Sequence, residues 1–252
     1  TDMNVNLLAV DEAHCISQWG YDFRPAYLKI ANIRQLQPSV PVLALTATAT
    51  PKVVDDIQDR LLFPKKNVFK KSFERNNLVY WVKESENKDQ DLLRIAKRNT
   101  STGIVYVRNR KKTKEVAEFL QKNGIAADYY HAGLSSELRD LKQSDWKEDR
   151  TKVIVSTNAF GMGIDKPDVR YVVHLDLPDS LEAYFQEAGR GGRDEKQAHA
   201  ILLYNRYDRA KLRQNLTNSF PETQFIKEIY DAVGSFLNIP LGAGKGDRKS
   251  VV

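Results

Sequence analysis

Short apolar runs alternate with helix-spaced apolar positions along most of the chain. Val5–Val10 and Pro41–Leu45 read as strands, and Asn67–Phe73 as a third. Between the first two, Leu28, Ile30, Ile33 and Leu36 lie closer to helical than to alternating spacing. Thr50-Pro51 then opens a helix running to about Leu62, with threonine as N-cap and proline where a missing N–H costs nothing. A second series predicts strands at Leu78–Val82, Gly103–Val107, Ala126–Tyr130, Lys152–Ser156, Arg170–Leu175 and Ala198–Leu203. Helices are expected over Gln90–Arg98, Lys112–Asn123, Ser136–Lys147 and Leu181–Glu187, the last opened by Asp179 with Glu182 three residues on. Strands separated by helices predict an α/β fold with parallel sheets flanked by helices, and such sheets bind ligands at the carboxyl ends of their strands.

The pattern changes twice. A boundary near Ser72–Asn77 separates the two strand–helix series. After Tyr204, Arg206–Leu216 and Phe225–Leu237 look helical, and the small, polar stretch Gly242–Ser250 reads as a disordered tail. The expected domains are therefore 1–74, 75–205, a helical extension over 206–241 and a tail over 242–252.

Composition narrows the class. In 252 residues, 41% are hydrophobic and 10% aromatic, enough for a sizeable core. No run approaches the roughly 18 apolar residues of a membrane span, so no membrane partner is expected. Thr1-Asp2-Met3-Asn4 has neither the basic start nor the apolar run of a secretory signal. The single cysteine, Cys15, excludes an intramolecular disulfide and a cysteine-rich zinc site, so no zinc is expected and a reducing compartment fits. Lys and Arg outnumber Asp and Glu by 39 to 33, a net charge of +6 that suits a polyanion such as nucleic acid.

Several segments carry candidate chemistry. Val10-Asp11-Glu12-Ala13-His14 follows an apolar strand directly. An acid there can hold magnesium through its water shell, and the next carboxylate can orient or deprotonate an attacking water. The bland alternative is two solvated acids in a turn. His14-Cys15-Ile16-Ser17-Gln18-Trp19-Gly20-Tyr21-Asp22-Phe23-Arg24-Pro25 sets three aromatics at alternate positions beside an arginine. Aromatic faces stack on bases and an arginine handles phosphate, whereas alternation alone also marks a buried strand; Gly20 and Pro25 favour a loop.

With this segment the chain resembles the RecQ family of DNA helicases in helicase superfamily two, whose aromatic-rich loop follows the DEAH box. The resemblance continues in order. Leu43–Thr50 looks like motif III, and Ile104–Val107 with Asn109-Arg110 like motif IV. Tyr130–Leu134 is similar to the family's strand-end segment touching the DNA backbone. Ser156–Arg170 looks like motif V, and Gln186–Asp194 like motif VI. Taken singly, motif VI is a basic, glycine-rich turn and His131 a surface histidine; the ordered set carries the assignment.

The resemblance implies RecA-like lobes with ATP and magnesium between them, 1–74 being the C-terminal half of a partial first lobe and 75–205 a complete second lobe, and an ATP-dependent helicase moving 3′ to 5′ on single-stranded or forked DNA in repair or recombination. It implies that Asp11 holds magnesium through water, that Glu12 activates the attacking water, and that Arg190 and Arg193 stabilise the transferred phosphoryl. His14, Asp165 and Gln186 join the nucleotide site, Asp165 at the ribose or the catalytic cleft. Trp19, Phe23 and Arg24 sense DNA, and Asn109, Arg110, His131 and Thr157 contact its backbone. A bacterial cytoplasmic setting near the nucleoid is preferred to a nuclear one. An RNA helicase and a non-catalytic nucleic-acid-binding module are the alternatives.

Two departures stand out. No G-x-x-x-x-G-K-[ST] phosphate loop occurs in the sequence, so the chain reads as a piece of something longer and is expected to be inactive alone. Tyr21 stands where the family's loop usually has a histidine, which puts any cationic role there in doubt.

Overall fold

A computed structural model describes residues 4–18, 23–72, 74–161 and 164–237. Residues 1–204 form one compact unit and the residues from Asn205 onward a second.

The first unit contains two parallel sheets. The smaller pairs β1 (Leu8–Val10) with β2 (Val42–Ala44), Val10 opposite Ala44. Between them the chain runs through a 3-10 segment, Pro25–Asn32, and a single turn, α1 (Ile33–Leu36), where one longer helix is expected. α2 (Pro51–Arg60) begins as its sequence dictates: Pro51 fills the first position and the Thr50 hydroxyl accepts the Val53 amide. Val53, Ile57 and Leu61 pack from it onto Val10, Ala13 and Ile16.

The strand expected over Asn67–Phe73 does not form. Residues 67–72 are irregular and exposed, and Phe73 lies outside the described residues. Among the described residues no strand pairs with this segment. Apolar residues there meet no ladder and no core: Phe69 is 90% exposed.

The larger sheet has six parallel strands in the order β3-β8-β7-β4-β6-β5. They are β3 (Leu78–Glu84), β4 (Gly103–Tyr106), β5 (Ala127–Tyr130), β6 (Val153–Ser156), β7 (Tyr171–His174) and β8 (Ala198–Tyr204). Central β4, β6 and β7 are buried throughout, as strands covered on both faces must be. Side chains alternate across them. Val105, Val155 and Val173 face α3 (Lys88–Arg98) and α4 (Arg110–Lys122) through Leu92, Val116 and Leu120. Ile104, Ile154 and Val172 face the other way, toward Phe160 and toward Trp146 on α5 (Ser136–Lys147). α6 (Leu181–Ala188) links β7 to β8. Its N-cap is Ser180, whose hydroxyl accepts the Ala183 amide at 3.1 Å, rather than Asp179. Asp179 instead pairs with Arg108 at 2.8 Å, so its carboxylate is not free to cap.

The second unit holds α7 (Arg206–Ser219) and α8 (Thr223–Phe236), as the periodicity predicts. The expected tail, 242–252, lies outside the described residues.

Gly103 starts β4 opposite Tyr171, whose ring occupies the space a β-carbon would need, 2.2 Å from its position. Gly103→Ala therefore forces a buried tyrosine to move. A loss of about 1–3 kcal/mol is expected in urea unfolding of the chain; an unchanged midpoint would mean that the ring relocates without cost.

Candidate active site

Asp11 and Glu12 leave the carboxyl end of β1. Glu12 adopts the left-handed conformation (φ 48°, ψ 42°), rare for a residue with a side chain and worth about 1–3 kcal/mol of local strain. The surroundings hold it there. Asp11 Oδ1 accepts the Glu12 amide at 2.8 Å, Leu45 N–H donates to Val10 O, and Ala13 N–H donates to Leu45 O. His14 is buried, with Nδ1 3.0 Å from Thr46 Oγ1 and 3.3 Å from Glu12 Oε2. The expected nucleotide residue His14 thus sits behind Glu12 and joins it to the segment after β2.

The opposite wall comes from α6 and the turn after it. Gln186 Nε2 donates to Glu12 Oε1 at 3.2 Å, a direct bond between residues carried by the two sheets. Its neighbour Glu187 is buried, and Glu187 Oε2 meets His174 Nε2 at 2.9 Å. The His174 ring stacks on Tyr106, 5.2 Å between centroids. Burial pushes the Tyr106 hydroxyl far above the usual tyrosine range, so it stays protonated and donates to Phe160 O. Arg190 Nη1 donates to Gly161 O at 2.7 Å, while its Nε is buried without a partner. A β-carbon on Gly161 would lie 1.9 Å from that guanidinium, so only glycine admits Arg190 here. Arg193 Nη1 donates to Asp165 Oδ1 at 2.8 Å and to Ile164 O.

These groups surround a cleft of about 550 Å³ lined by Glu12, Thr48, Asp165, Gln186, Arg190 and Arg193, among others. A carboxylate on one side and two guanidiniums on the other suit a polyphosphate and its attacking water. The arginine turn lies beside the amino ends of β3 and β8: Gly192 N–H donates to Val169 O, and Ala198 N–H to Asn77 O. On the larger sheet the cleft is therefore not at the carboxyl ends of the strands, contrary to the expectation for such sheets.

The carboxyl ends carry the other predicted residues. Asn109 caps α4, accepting the Lys111 amide at 2.7 Å, and Arg110 begins that helix. His131 follows β5, and Thr157, buried, follows β6 and accepts the Ala159 amide. Arg110 and His131 meet across Gly133, where a β-carbon would lie 3.1 Å from Arg110 Nη1 and 3.3 Å from His131 Nδ1. Phe23 and Arg24 are half-buried beside the first sheet, with the Arg24 amide donating to Cys15 O. Trp19 lies outside the described residues.

Sequence reasoning gave no role to His174, Glu187, Arg75 or Asn77. Glu187 stood inside motif VI and His174 inside an apolar strand, where a buried polar residue is the signal that a partner exists. Arg75 and Asn77 bond to each other and to backbone carbonyls, which no side-chain pattern announces.

Known proteins match this arrangement. The family described as DEAD/DEAH box helicase matches residues 3–57, and that described as helicase conserved C-terminal domain matches residues 87–195. The RecQ-like DNA helicase BLM of Xenopus laevis is 47% identical over 234 residues, 89% of this chain and 17% of that protein. The ATP-dependent DNA helicase RecQ of Haemophilus influenzae is 40% identical over 235 residues, 92% of this chain and 38% of that one. The chain belongs to the RecQ family. It spans well under half the length of these RecQ relatives. In fold it is similar to Saccharomyces cerevisiae Dbp5 L327V bound to RNA and ADP BeF3, with a TM-score of 0.67 and 21% identity over 87% of this chain and 59% of that one. That likeness carries the RecA-like architecture alone.

Burial, and then the positive charge of Arg110, hold the His131 imidazole below its usual range. Both disfavour the protonated ring, so His131 is neutral at pH 7. An NMR titration should place its midpoint below that of free histidine, and Arg110→Gln should raise it. A wild-type midpoint above the ordinary value would contradict the geometry.

Proposed function

We propose that the protein is an ATP-dependent DNA helicase moving 3′ to 5′, with hydrolysis in the cleft between the two sheets driving strand separation during repair or recombination. The observation that carries this reading is the convergence of Glu12 from the first sheet with Gln186, Arg190 and Arg193 from the second on one cleft. The names of the RecQ relatives and the net charge of +6 support DNA as the track. Acting on the chromosome places a bacterial protein of this kind in the cytoplasm with the nucleoid.

Each residue has a role its position allows. Glu12 orients and deprotonates the attacking water, with its carboxylate fixed by Gln186 and His14. Arg190 and Arg193 supply positive charge where the transferred phosphoryl develops negative charge. Asp165 holds Arg193 and borders the ribose or the catalytic cleft. Asp11, an exposed carboxylate beside Glu12, fits magnesium, which takes one or two carboxylates together with substrate phosphates. Among the described residues no cluster of three acids or histidines forms a separate metal cage. The ion, when bound with the nucleotide, offsets phosphate charge. His131, Arg110, Asn109 and Thr157, at the carboxyl ends of β5, β4 and β6, contact the DNA backbone. Trp19, with Phe23 and Arg24, reports DNA to Glu12.

The 252 residues contain no Walker A run, and by themselves they are expected to release negligible phosphate. In the full-length protein, Arg193→Ala should lower ATP turnover at least about a hundredfold with or without DNA, leaving nucleotide affinity within a modest factor. Trp19→Ala should keep the DNA-independent turnover and lose most of the stimulation by single-stranded DNA. Steady-state assays with DNA, with RNA and with neither decide the matter. Full stimulation of Trp19→Ala removes the sensing role, and stronger stimulation by RNA than by DNA overturns the substrate.

A further inference from the structure

The turn that carries both cleft arginines is held through its backbone. Gly189, Gly191 and Gly192 offer no side chains; their amides donate to Phe185 O, Ala188 O and Val169 O, and their carbonyls face the chain just ahead of β3. Two residues just ahead of β3, more than a hundred positions away in sequence, cover them. Arg75 Nη2 donates to Gly192 O at 2.6 Å and to Gly191 O at 3.1 Å, and Arg75 Nη1 to Gly189 O at 3.5 Å. Asn77 Nδ2 donates to Gly192 O at 2.7 Å and to Lys196 O at 2.9 Å. Arg75 Nε donates to Asn77 Oδ1, which locks the two side chains into one unit. Gly192 is left-handed (φ +60°), and a β-carbon on it would lie 2.7 Å from Asn77 Nδ2, so clamp and glycine fit only each other.

We propose that Arg75 and Asn77 are positioning residues for the phosphoryl-transfer step. They fix the backbone of Gly189–Gly192 so that Arg190 and Arg193, set on either side of its last two glycines, present their guanidiniums to the cleft. Arginine suits this role because its planar fork of five donors reaches several carbonyls at once, and its charge opposes the negative end of α6. Lysine offers a point charge with no fixed plane. Arg75 borders the cleft, yet its fork is committed to carbonyls, so it acts through the turn rather than on substrate.

The proposal rests on the reading of Arg193 given above, and the test separates the two. Steady-state ATPase of the full-length protein is measured for Arg75→Ala, Arg75→Lys, Asn77→Ala and Arg193→Ala, with thermal melting of each. Arg75→Ala should lower kcat at least about tenfold while the nucleotide KM stays within about threefold, the split expected when a transition-state contact is lost. Arg75→Lys should recover only part of the loss, and Asn77→Ala should fall the same way by less. If Arg193→Ala keeps its turnover, the assignment of the cleft itself fails. If Arg193→Ala collapses while Arg75→Ala and Asn77→Ala stay within twofold of the parent kcat, the clamp is overturned. A drop in kcat no larger than the loss of folded protein, or full recovery in Arg75→Lys, overturns it equally. Should Arg75→Ala fail to fold, Asn77→Ala and Arg75→Lys decide by the same criteria.

Discussion

A hydrogen bond joins the two halves of the site: Gln186 Nε2 to Glu12 Oε1, 174 positions apart in sequence. Its two ends are fixed by different means. Glu12 is held in a backbone conformation it would not choose, by ladder bonds around Ala13 and Leu45 and by the buried His14 behind it. Gln186 is held through its neighbour. Successive helix residues point about 100° apart, so Gln186 can face the cleft only if Glu187 faces inward. Inward the side chain is buried, and a buried carboxylate needs a partner. His174, stacked on Tyr106 at the centre of the sheet, supplies it. The aim of the cleft residue is thus set by a buried pair that never touches the cleft.

The larger sheet carries the expected site residues at both of its ends. His131, Thr157 and the start of α4 lie at the carboxyl ends of β5, β6 and β4, while the arginine turn lies beside the amino ends of β3 and β8. After Thr157, Gly161 lies under Arg190 and Asp165 on Arg193. Just beyond it Lys166, almost fully buried, bonds Lys147 O and pairs with Asp149 and Asp168. Thr157, at one end of the sheet, and Asp165, on Arg193, are thus close neighbours in sequence.

What the sequence made legible follows from where information is local. Six strands of the larger sheet and its helices emerged from apolar spacing because their cores are filled by their own alternating residues, as with Val105 and Ile104 on opposite faces of β4. Of the motif residues, Glu12, Asp165, Gln186, Arg190 and Arg193 line one cleft, whereas Asn109, Arg110, His131 and Thr157 lie at the carboxyl ends of the larger sheet. The strand over 67–73 failed because β propensity without a neighbouring ladder does not make a strand. The cap of α6 fell on Ser180 because Arg108, far away in sequence, claims Asp179. The clamp of Arg75 and Asn77 and the His174–Glu187 pair were illegible for the same reason: their partners are backbone carbonyls or residues brought near only by the closed sheet.

The two cleft arginines are not equivalent, and their surroundings hold them differently. Arg190 is enclosed. Its Nη1 is bonded to Gly161 O, its guanidinium fills the space a side chain on Gly161 would take, and its Nε is buried without a partner. Moving it would empty a fitted space and break the bond to Gly161. Arg193 is open. Its side chain is 37% exposed and that of Asp165 77%, and an ion pair so exposed contributes at most about 1 kcal/mol. A polyphosphate offers more negative charge than one solvated carboxylate, so exchanging Asp165 for phosphate costs Arg193 little. Arg190 is therefore the more tightly held of the two, and Arg193, paired with an exposed carboxylate, is the more loosely held.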